Sequence, residues 1–261
     1  MEYLVICVSA FIISALTLFS GFGLGTVLMP VFALFFPLPI AIASTAGVHL
    51  LTNLFKFTLV GKFSVWKVII RFGVPAAIAS AIGAFLLSFF SNVPSIFSYT
   101  LHDNTYHLTV IGLTVGVIII ASSVLELVPK FSTFSFAAKY IPFGGFLSGF
   151  FGGISGNQGI LRSAFLFKAG LTKEQFIGTG VVCSIIVDSV RVLVYSWATY
   201  TEQFAPISSD MLGILVAACL TAFLGAYVGS QLMTKVSYKM VQYLIGYMLL
   251  ILGAVIAVGI A

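Results

Sequence analysis

Apolar runs of about 20 residues recur along the whole chain and constrain its fold more than any other feature. A helix needs about 20 apolar residues to cross the hydrocarbon core of a bilayer. The composition agrees, because 60% of the 261 residues are hydrophobic and only 7% are charged. We therefore predict an all-α polytopic membrane protein embedded in the lipid bilayer. The apolar segments cover residues 4–20, 26–36, 38–60, 65–90, 106–126, 136–152, 158–169, 173–200, 210–233 and 238–260.

The charged residues and cysteines exclude several function classes. The net charge is +5, but no basic stripe with interleaved aromatic residues is present, so we expect no nucleic-acid partner. The three cysteines lie in apolar runs without a CxxC pair, as small buried hydrophobic residues do. No HExxH, GxSxG or cysteine–histidine spacing is present, so we predict no metal, no cofactor and no catalytic residue. The N-terminal MEYLVICVSAF lacks the basic region of a signal peptide and is expected to remain as the first helix.

Two pairs of apolar segments do not fit a simple series of crossings. The pair 4–20 and 26–36 is too long for one crossing, and its second member is too short to span alone. The pair 136–152 and 158–169 repeats this pattern. Each pair is therefore predicted to form a re-entrant helical hairpin, which enters the membrane and turns back.

The distribution of basic residues predicts the orientation. Three connections contain lysine, and two contain neither lysine nor arginine. If both hairpins are re-entrant, the basic connections lie in the cytoplasm and the other two lie outside, as the positive-inside rule requires. We therefore predict both termini to be outside. The basic connections are those near residues 62–67, 130–139 and 235–239, and the other two are 91–105 and 201–209.

The chain also shows an internal duplication. The stretch STAGVHLLTNLFK (44–56) aligns without gaps with TGVVCSIIVDSVR (179–191), which pairs Asn53 with Asp188. Each half then has one hairpin and three transmembrane helices, and because three is odd, the second half is inverted relative to the first. Transporters built from inverted repeats bind their substrates near the midplane, between the repeats. The two predicted repeats cover residues 1–130 and 131–261.

Glycine-rich turns interrupt both predicted hairpins. The first is SGFGLGT at 20–26, where a dinucleotide-binding loop is excluded because a membrane-length helix, and not a strand, precedes it. The glycines could serve only to allow a tight turn. Alternatively, they line a polar cavity, since non-helical backbone at membrane depth is tolerated there. The second turn, SGNQGILRS at 155–163, favours the cavity because it adds Asn157, Gln158 and Arg162.

The helices that follow the two turns would point their N termini at the middle of the membrane. Their free N–H groups and positive dipole ends suit an anion, and Arg162 adds planar donors that fit an oxyanion. An arginine in the membrane needs a partner or a function, and Asp188 could pair with Arg162 or Arg191 when the site is empty. The predicted substrate-binding residues are Gly21, Gly23, Gly25, Thr26, His49, Asn53, Asn157, Gln158, Gly159, Arg162, Asp188 and Arg191.

Several of these polar residues have two interpretations. His49, one turn from Asn53, either packs through a simple hydrogen bond or handles substrate or protons. Asp188 and Arg191 are three residues apart on a helix and could form a local ion pair.

Four other polar residues are expected outside the site. Lys56 and Arg71 lie near predicted cytoplasmic helix ends, where long basic side chains extend to the membrane surface. His102 and His107 flank an external loop and are expected to be solvated.

The duplicated motifs resemble those of a known family. The first glycine turn, Pro30 and STAGVHLLTN resemble the first repeat of the TauE/SafE family of sulfite and organosulfur-anion exporters. GGFLSGFFGGISGNQGILRSAFLFKAGLTKEQFIGTG resembles the second repeat, with Asn157-Gln158 where the family turn is usually richer in glycine. The resemblance extends over about residues 10–250. It implies a secondary transporter that moves sulfite, sulfoacetate or similar anions across the cytoplasmic membrane.

We therefore predict a multi-pass transporter of a small anion, sulfite or an organosulfonate, that works by alternating access in an inner membrane. Protons are a candidate coupling ion, through His49 or Asp188. The alternative is an intramembrane enzyme acting on a lipid or sulfur compound, which would need a nucleophile or a metal set. A structural subunit would leave Arg162 unexplained.

Overall fold

The computed structural model of the protein is mostly helical, which confirms the predicted all-α class. It describes residues 1–17, 24–102, 104–128, 136–201, 209–232 and 238–260. Ten α-helices follow one another in these ranges. They are α1 (Glu2–Thr17), α2 (Leu24–Ala33), α3 (Leu38–Val60), α4 (Trp66–Phe90), α5 (Val110–Leu127), α6 (Ile141–Ser155), α7 (Gly159–Leu166), α8 (Lys173–Tyr200), α9 (Ser209–Leu232) and α10 (Tyr238–Ala257).

The helix lengths separate membrane spans from hairpin arms. Within the described ranges, α3, α4, α8 and α9 are long and apolar enough to cross a membrane. By contrast, α2 has ten residues and α7 has eight, so neither reaches across a bilayer. These are the short second arms of the two predicted hairpins. Pro37, with φ −51°, begins the turn into α3 and suits the start of a helix.

The connection predicted as an external loop contains a β-hairpin instead. Strand β1 (Phe97–Leu101) pairs antiparallel with β2 (Asn104–Leu108). The crossing predicted to begin at residue 106 therefore begins at Val110, after Thr109 caps the helix by accepting a bond from the Gly112 N–H at 3.0 Å. The threonines and tyrosines of this stretch favour strands, a local preference that the hydropathy pattern does not register.

Two hydrogen bonds join residues at distant positions of the chain. Tyr3 Oη donates to the Asp210 carbonyl at 3.1 Å, and Tyr99 Oη donates to the Val258 carbonyl at 2.8 Å. Each bond requires its two partners to lie on the same side of the membrane. The predicted topology places all four residues outside, and the re-entrant course of the two hairpins stays a prediction.

Glycines allow two close helix pairs, α6 on α4 and α1 on α9. A side chain at Gly149 would collide with the Ala76 carbonyl, and one at Gly225 would collide with the Phe11 carbonyl. Small residues permit this approach in membrane helices. Thus the first helix of each predicted half packs against the other half, as an inverted duplication would produce. The duplication itself stays a prediction.

Helices α3 and α8 run antiparallel and carry ten of the 21 buried polar or charged residues that the structure describes. Near one end, a Cβ at Gly178 of α8 would lie 2.6 Å from the Val60 carbonyl oxygen of α3. Further along, Asn53 of α3 contacts Asp188 of α8. The inner ends of the two hairpins meet beside this second contact.

Candidate functional site

The two hairpins meet where α2 and α7 begin. The Thr26 hydroxyl, in the first turn of α2, donates to Asn157 Oδ1 at 3.3 Å. A Cβ at Gly25 would lie 3.5 Å from the Gly156 carbonyl and 3.3 Å from the His49 ring. The start of α2, with Gly25 and Thr26, is therefore enclosed by the second turn and by α3. Gly21 and Gly23, also predicted here, lie outside the described residues.

A left-handed glycine shapes the second turn. Gly156 ends α6 with φ +76°, and its N–H donates to the Gly152 carbonyl at 2.9 Å. Residues with a side chain rarely adopt this backbone conformation. Ser148 Oγ donates to the Gln158 carbonyl at 2.8 Å and holds the far side of the turn. The turn thereby presents Asn157 and Gln158, both 2% exposed, to the interior.

Asp188 is the centre of the buried polar network. Its Oδ1 accepts bonds from Gln158 Nε2 and Arg191 Nε, each at 2.9 Å. Its Oδ2 accepts a bond from Asn53 Nδ2 at 3.3 Å and lies 2.7 Å from His49 Nδ1. Asp188 has no exposed surface, and a buried carboxylate is stable only with such partners. The local ion pair with Arg191, one of the two interpretations of these residues, is present.

Arg191 connects this carboxylate to the end of α6. Its Nη1 donates to the Gly152 carbonyl at 3.0 Å, and the neighbouring Tyr195 hydroxyl donates to the Gly153 carbonyl. The last carbonyls of a helix need partners from outside it. The Gly152 carbonyl accepts bonds from both the Gly156 N–H and Arg191, and the Gly153 carbonyl accepts one from Tyr195. Arg191 therefore holds the second hairpin in place. Tyr195 was not among the predicted site residues. It lies four residues after Arg191 on α8, and this spacing would have indicated that the two side chains share one helix face.

Arg162 lies one turn into α7 and is 4% exposed. Its Nη1 donates to the Ser184 hydroxyl of α8, so the guanidinium is held on the inner side of the bundle. Ser184 is a further site residue that the sequence analysis missed. Of the two arginines that could pair with Asp188, Arg191 forms the ion pair in the structure.

A small polar cavity lies between these groups. It is about 10 Å³ in volume, close to what one water molecule requires. Backbone of both hairpins and polar side chains form its wall. The lining residues are Gly25, Thr26, His49, Gly156, Gln158, Gly159 and Arg162. Six of these seven belong to the predicted substrate-binding set, and Gly156 is the addition.

A larger cavity of about 440 Å³ lies between α3, α8 and α9. Its wall is mainly apolar and includes Ser44, Tyr195, Ser196 and Thr199 but no charged residue. An anion would have no charged partner there. The small polar cavity is therefore the candidate site, although it is much the smaller of the two.

Comparison with known proteins decides the family. The family model described as sulfite exporter TauE/SafE matches residues 6–256. The chain belongs to the TauE/SafE family. This match confirms the resemblance of the duplicated motifs and identifies a multi-pass membrane protein of an anion-exporter type. No curated protein and no solved structure matches the chain.

One residue of this TauE/SafE protein lies where the sequence analysis did not place it. Lys56 was expected to extend to the membrane surface but is only 5% exposed, on the same face of α3 as His49 and Asn53. The expectation was wrong because α8 and the second hairpin pack against this face of α3. No local sequence pattern reveals that packing. Arg71, by contrast, is exposed.

The remaining expectations concern residues away from the site. His102 and His107 are exposed, as predicted. Cys183 and Cys219 are buried and free, and Cys7 is partly buried and free. In the part of the chain that the structure describes, no group of three potential metal-ligating side chains occurs.

Proposed function

We propose that this TauE/SafE protein is a secondary transporter of a small oxyanion, sulfite or an organosulfonate, in a bacterial or archaeal inner membrane. The observation that carries the proposal is the polar cavity, which Arg162 and the start of α7 line from one hairpin and Gly25 and Thr26 line from the other. A helix N terminus and a guanidinium both favour an oxyanion. The substrate-binding residues are those of the predicted set.

The transport step follows from the position of the cavity between two hairpins. The cavity has room for about one water molecule, so a sulfur oxyanion enters only if the surrounding elements separate. Among the described residues, the hydrogen bond of Thr26 with Asn157 joins the hairpin ends, and it would have to break when they separate. We therefore propose alternating access, in which one predicted repeat, residues 1–130, moves against the other, residues 131–261.

Coupling to protons is supported by the contact of His49 with Asp188. His49 Nδ1 lies 2.7 Å from Asp188 Oδ2, and the same ring lines the polar cavity. Histidine is the side chain whose charge most readily changes near neutral pH. A proton taken up by His49 would therefore place an additional positive charge beside a bound anion.

An intramembrane enzyme is the competing function. The cavity wall contains a threonine hydroxyl and a histidine, but Thr26 donates to Asn157 and His49 contacts Asp188. Neither contact places the histidine as a base for the hydroxyl. The geometry therefore favours binding and transport over nucleophilic catalysis.

Uptake into liposomes tests the proposed function. Purified protein is reconstituted, and uptake of sulfite, sulfate, thiosulfate, sulfoacetate, taurine and chloride is compared with that of protein-free liposomes. We expect saturable uptake of at least one sulfur oxyanion without chemical change. If no anion is taken up, or a sulfur compound is converted to a product, the proposal is wrong.

A further inference from the structure

One buried cation lies close to the buried polar network without being bonded to it. Lys56 lies on α3, three residues after Asn53 and seven after His49, so all three side chains share one helix face. Lys56 is 5% exposed. Among the residues that the structure describes, it has neither a hydrogen bond nor an ion pair.

The register of α3 against α8 places Lys56 beside Arg162. Asn53 contacts Asp188, and Val60 contacts Gly178. Lys56 falls between these two contacts and is therefore level with Ser184, the residue that accepts a bond from Arg162. A Cβ at Gly180 of α8 would lie 3.6 Å from Arg162 Nε, so Arg162 and Lys56 both face the stretch of α8 between the two contacts.

The charges of this region do not balance. Among the described side chains, the buried cations are Lys56, Arg162 and Arg191, and the one buried carboxylate is Asp188. With His49 neutral, the formal sum is three minus one, or +2. Buried charge without compensation is expensive at membrane depth. A bound anion of charge −2 would neutralise the region completely, whereas a monovalent anion would leave it positive.

We propose that Lys56 is a specificity-determining residue that makes the site selective for divalent over monovalent oxyanions. This inference rests on the proposed function, because it assigns the charge of the anion that the same site would bind. Arg162 would contact the anion, and Lys56, which is not among the residues that line the cavity, would add its charge from the adjoining stretch of α3, while the Asp188–Arg191 pair keeps the hairpin in place. Divalent sulfur oxyanions would then be favoured over sulfonates with a single charge.

Sulfate and methanesulfonate are the probes, since they have nearly the same shape and differ by one charge. Binding of each to the purified protein is measured by titration calorimetry at low ionic strength. We expect the wild type to bind sulfate more tightly. Because Coulomb energy scales with the charge of the ligand, Lys56→Met should weaken sulfate binding about a hundredfold and methanesulfonate binding about tenfold. Lys67→Met, at an exposed lysine of α4, is the matched control and should change neither affinity.

The outcomes separate the inference from the proposed function. A wild type that binds neither anion overturns the proposed anion site. A wild type that binds both equally, or a Lys56→Met protein that keeps the preference for sulfate, overturns only the role of Lys56. If Lys56→Met does not fold, Lys56→Arg is compared with the wild type. Because it keeps the positive charge, it must keep the preference for sulfate over methanesulfonate, and loss of that preference overturns the charge-based role of Lys56.

Discussion

The side-chain oxygen of Asn157 accepts a hydrogen bond from the Thr26 hydroxyl at 3.3 Å, across 131 positions of the chain. Both side chains are buried. Thr26 belongs to the first turn of α2, and Asn157 belongs to the turn before α7, so the bond joins the inner ends of the two hairpins. Asn157 Nδ2 has no hydrogen-bond partner among the described residues.

Removal of the Thr26 hydroxyl should loosen the contact between the hairpins. Thr26→Val leaves Asn157 Oδ1 buried without this donor, at a cost of about 1–3 kcal/mol in the free energy of unfolding. Thermal unfolding in detergent measures the loss. The control is Thr114→Val, because Thr114 is exposed and its hydroxyl donates to the Val110 carbonyl of its own helix. Equal, small shifts of both melting temperatures would contradict the prediction.

A bulky side chain at Gly25 should abolish transport. In Gly25→Leu the new Cβ lies 3.3 Å from the His49 ring, and the rest of the side chain fills the polar cavity. Uptake into liposomes is the measurement. The matched control is Gly47→Leu on α3, because a Cβ at Gly47 has no neighbour within 4 Å. Normal uptake by correctly inserted Gly25→Leu protein would show that this glycine only shapes the hairpin.

Arg162→Lys should impair transport although it keeps the positive charge. Lysine cannot supply the planar, two-pronged contact of a guanidinium with an oxyanion. The loss of one charge-assisted contact, on the order of 1.5–3 kcal/mol, weakens binding about tenfold to a hundredfold. Titration with the transported anion measures the change, and Arg71→Lys at an exposed position of α4 is the control. Unchanged affinity in Arg162→Lys would show that the guanidinium does not bind the anion and that only the helix N termini could do so.

The Asp188–Arg191 pair should behave as one structural unit. Removal of one partner of a buried ion pair costs about 3–5 kcal/mol, because the other charge stays buried. Asp188→Asn and Arg191→Gln should therefore each lower the melting temperature strongly. The double variant should be more stable than Arg191→Gln alone. Additive losses in the double variant would show that the two side chains act independently.

The two hairpins should open towards opposite sides of the membrane. Single cysteines at Leu34, after α2, and at Lys168, after α7, are introduced after replacement of the three native cysteines. Both positions are exposed. A membrane-impermeant maleimide should label Leu34→Cys from outside and Lys168→Cys from the cytoplasm. Labelling of both from one side would exclude the inverted arrangement.

The membrane class, most of the helix positions and the short second arms of the two predicted hairpins followed from the sequence by itself. They depend on segment length, on hydropathy and on the charge of short loops, all of which are local properties. The ten-residue α2 and the eight-residue α7 show this directly, since an apolar segment of that length cannot span a bilayer in any fold. The duplicated motifs likewise indicated the TauE/SafE family, and the match over residues 6–256 confirmed it.

The tertiary structure decided which polar groups meet. Asp188 had two candidate arginines in the sequence, and it pairs with Arg191 while Arg162 bonds Ser184. Lys56 was predicted to extend to the membrane surface near a cytoplasmic helix end, but it is buried in the structure. These outcomes depend on how α3, α8 and the second hairpin pack, as in the contact of Asn53 with Asp188 across 135 positions. A hydropathy pattern describes one helix at a time, whereas the partner of a buried charge is set by the neighbouring helices.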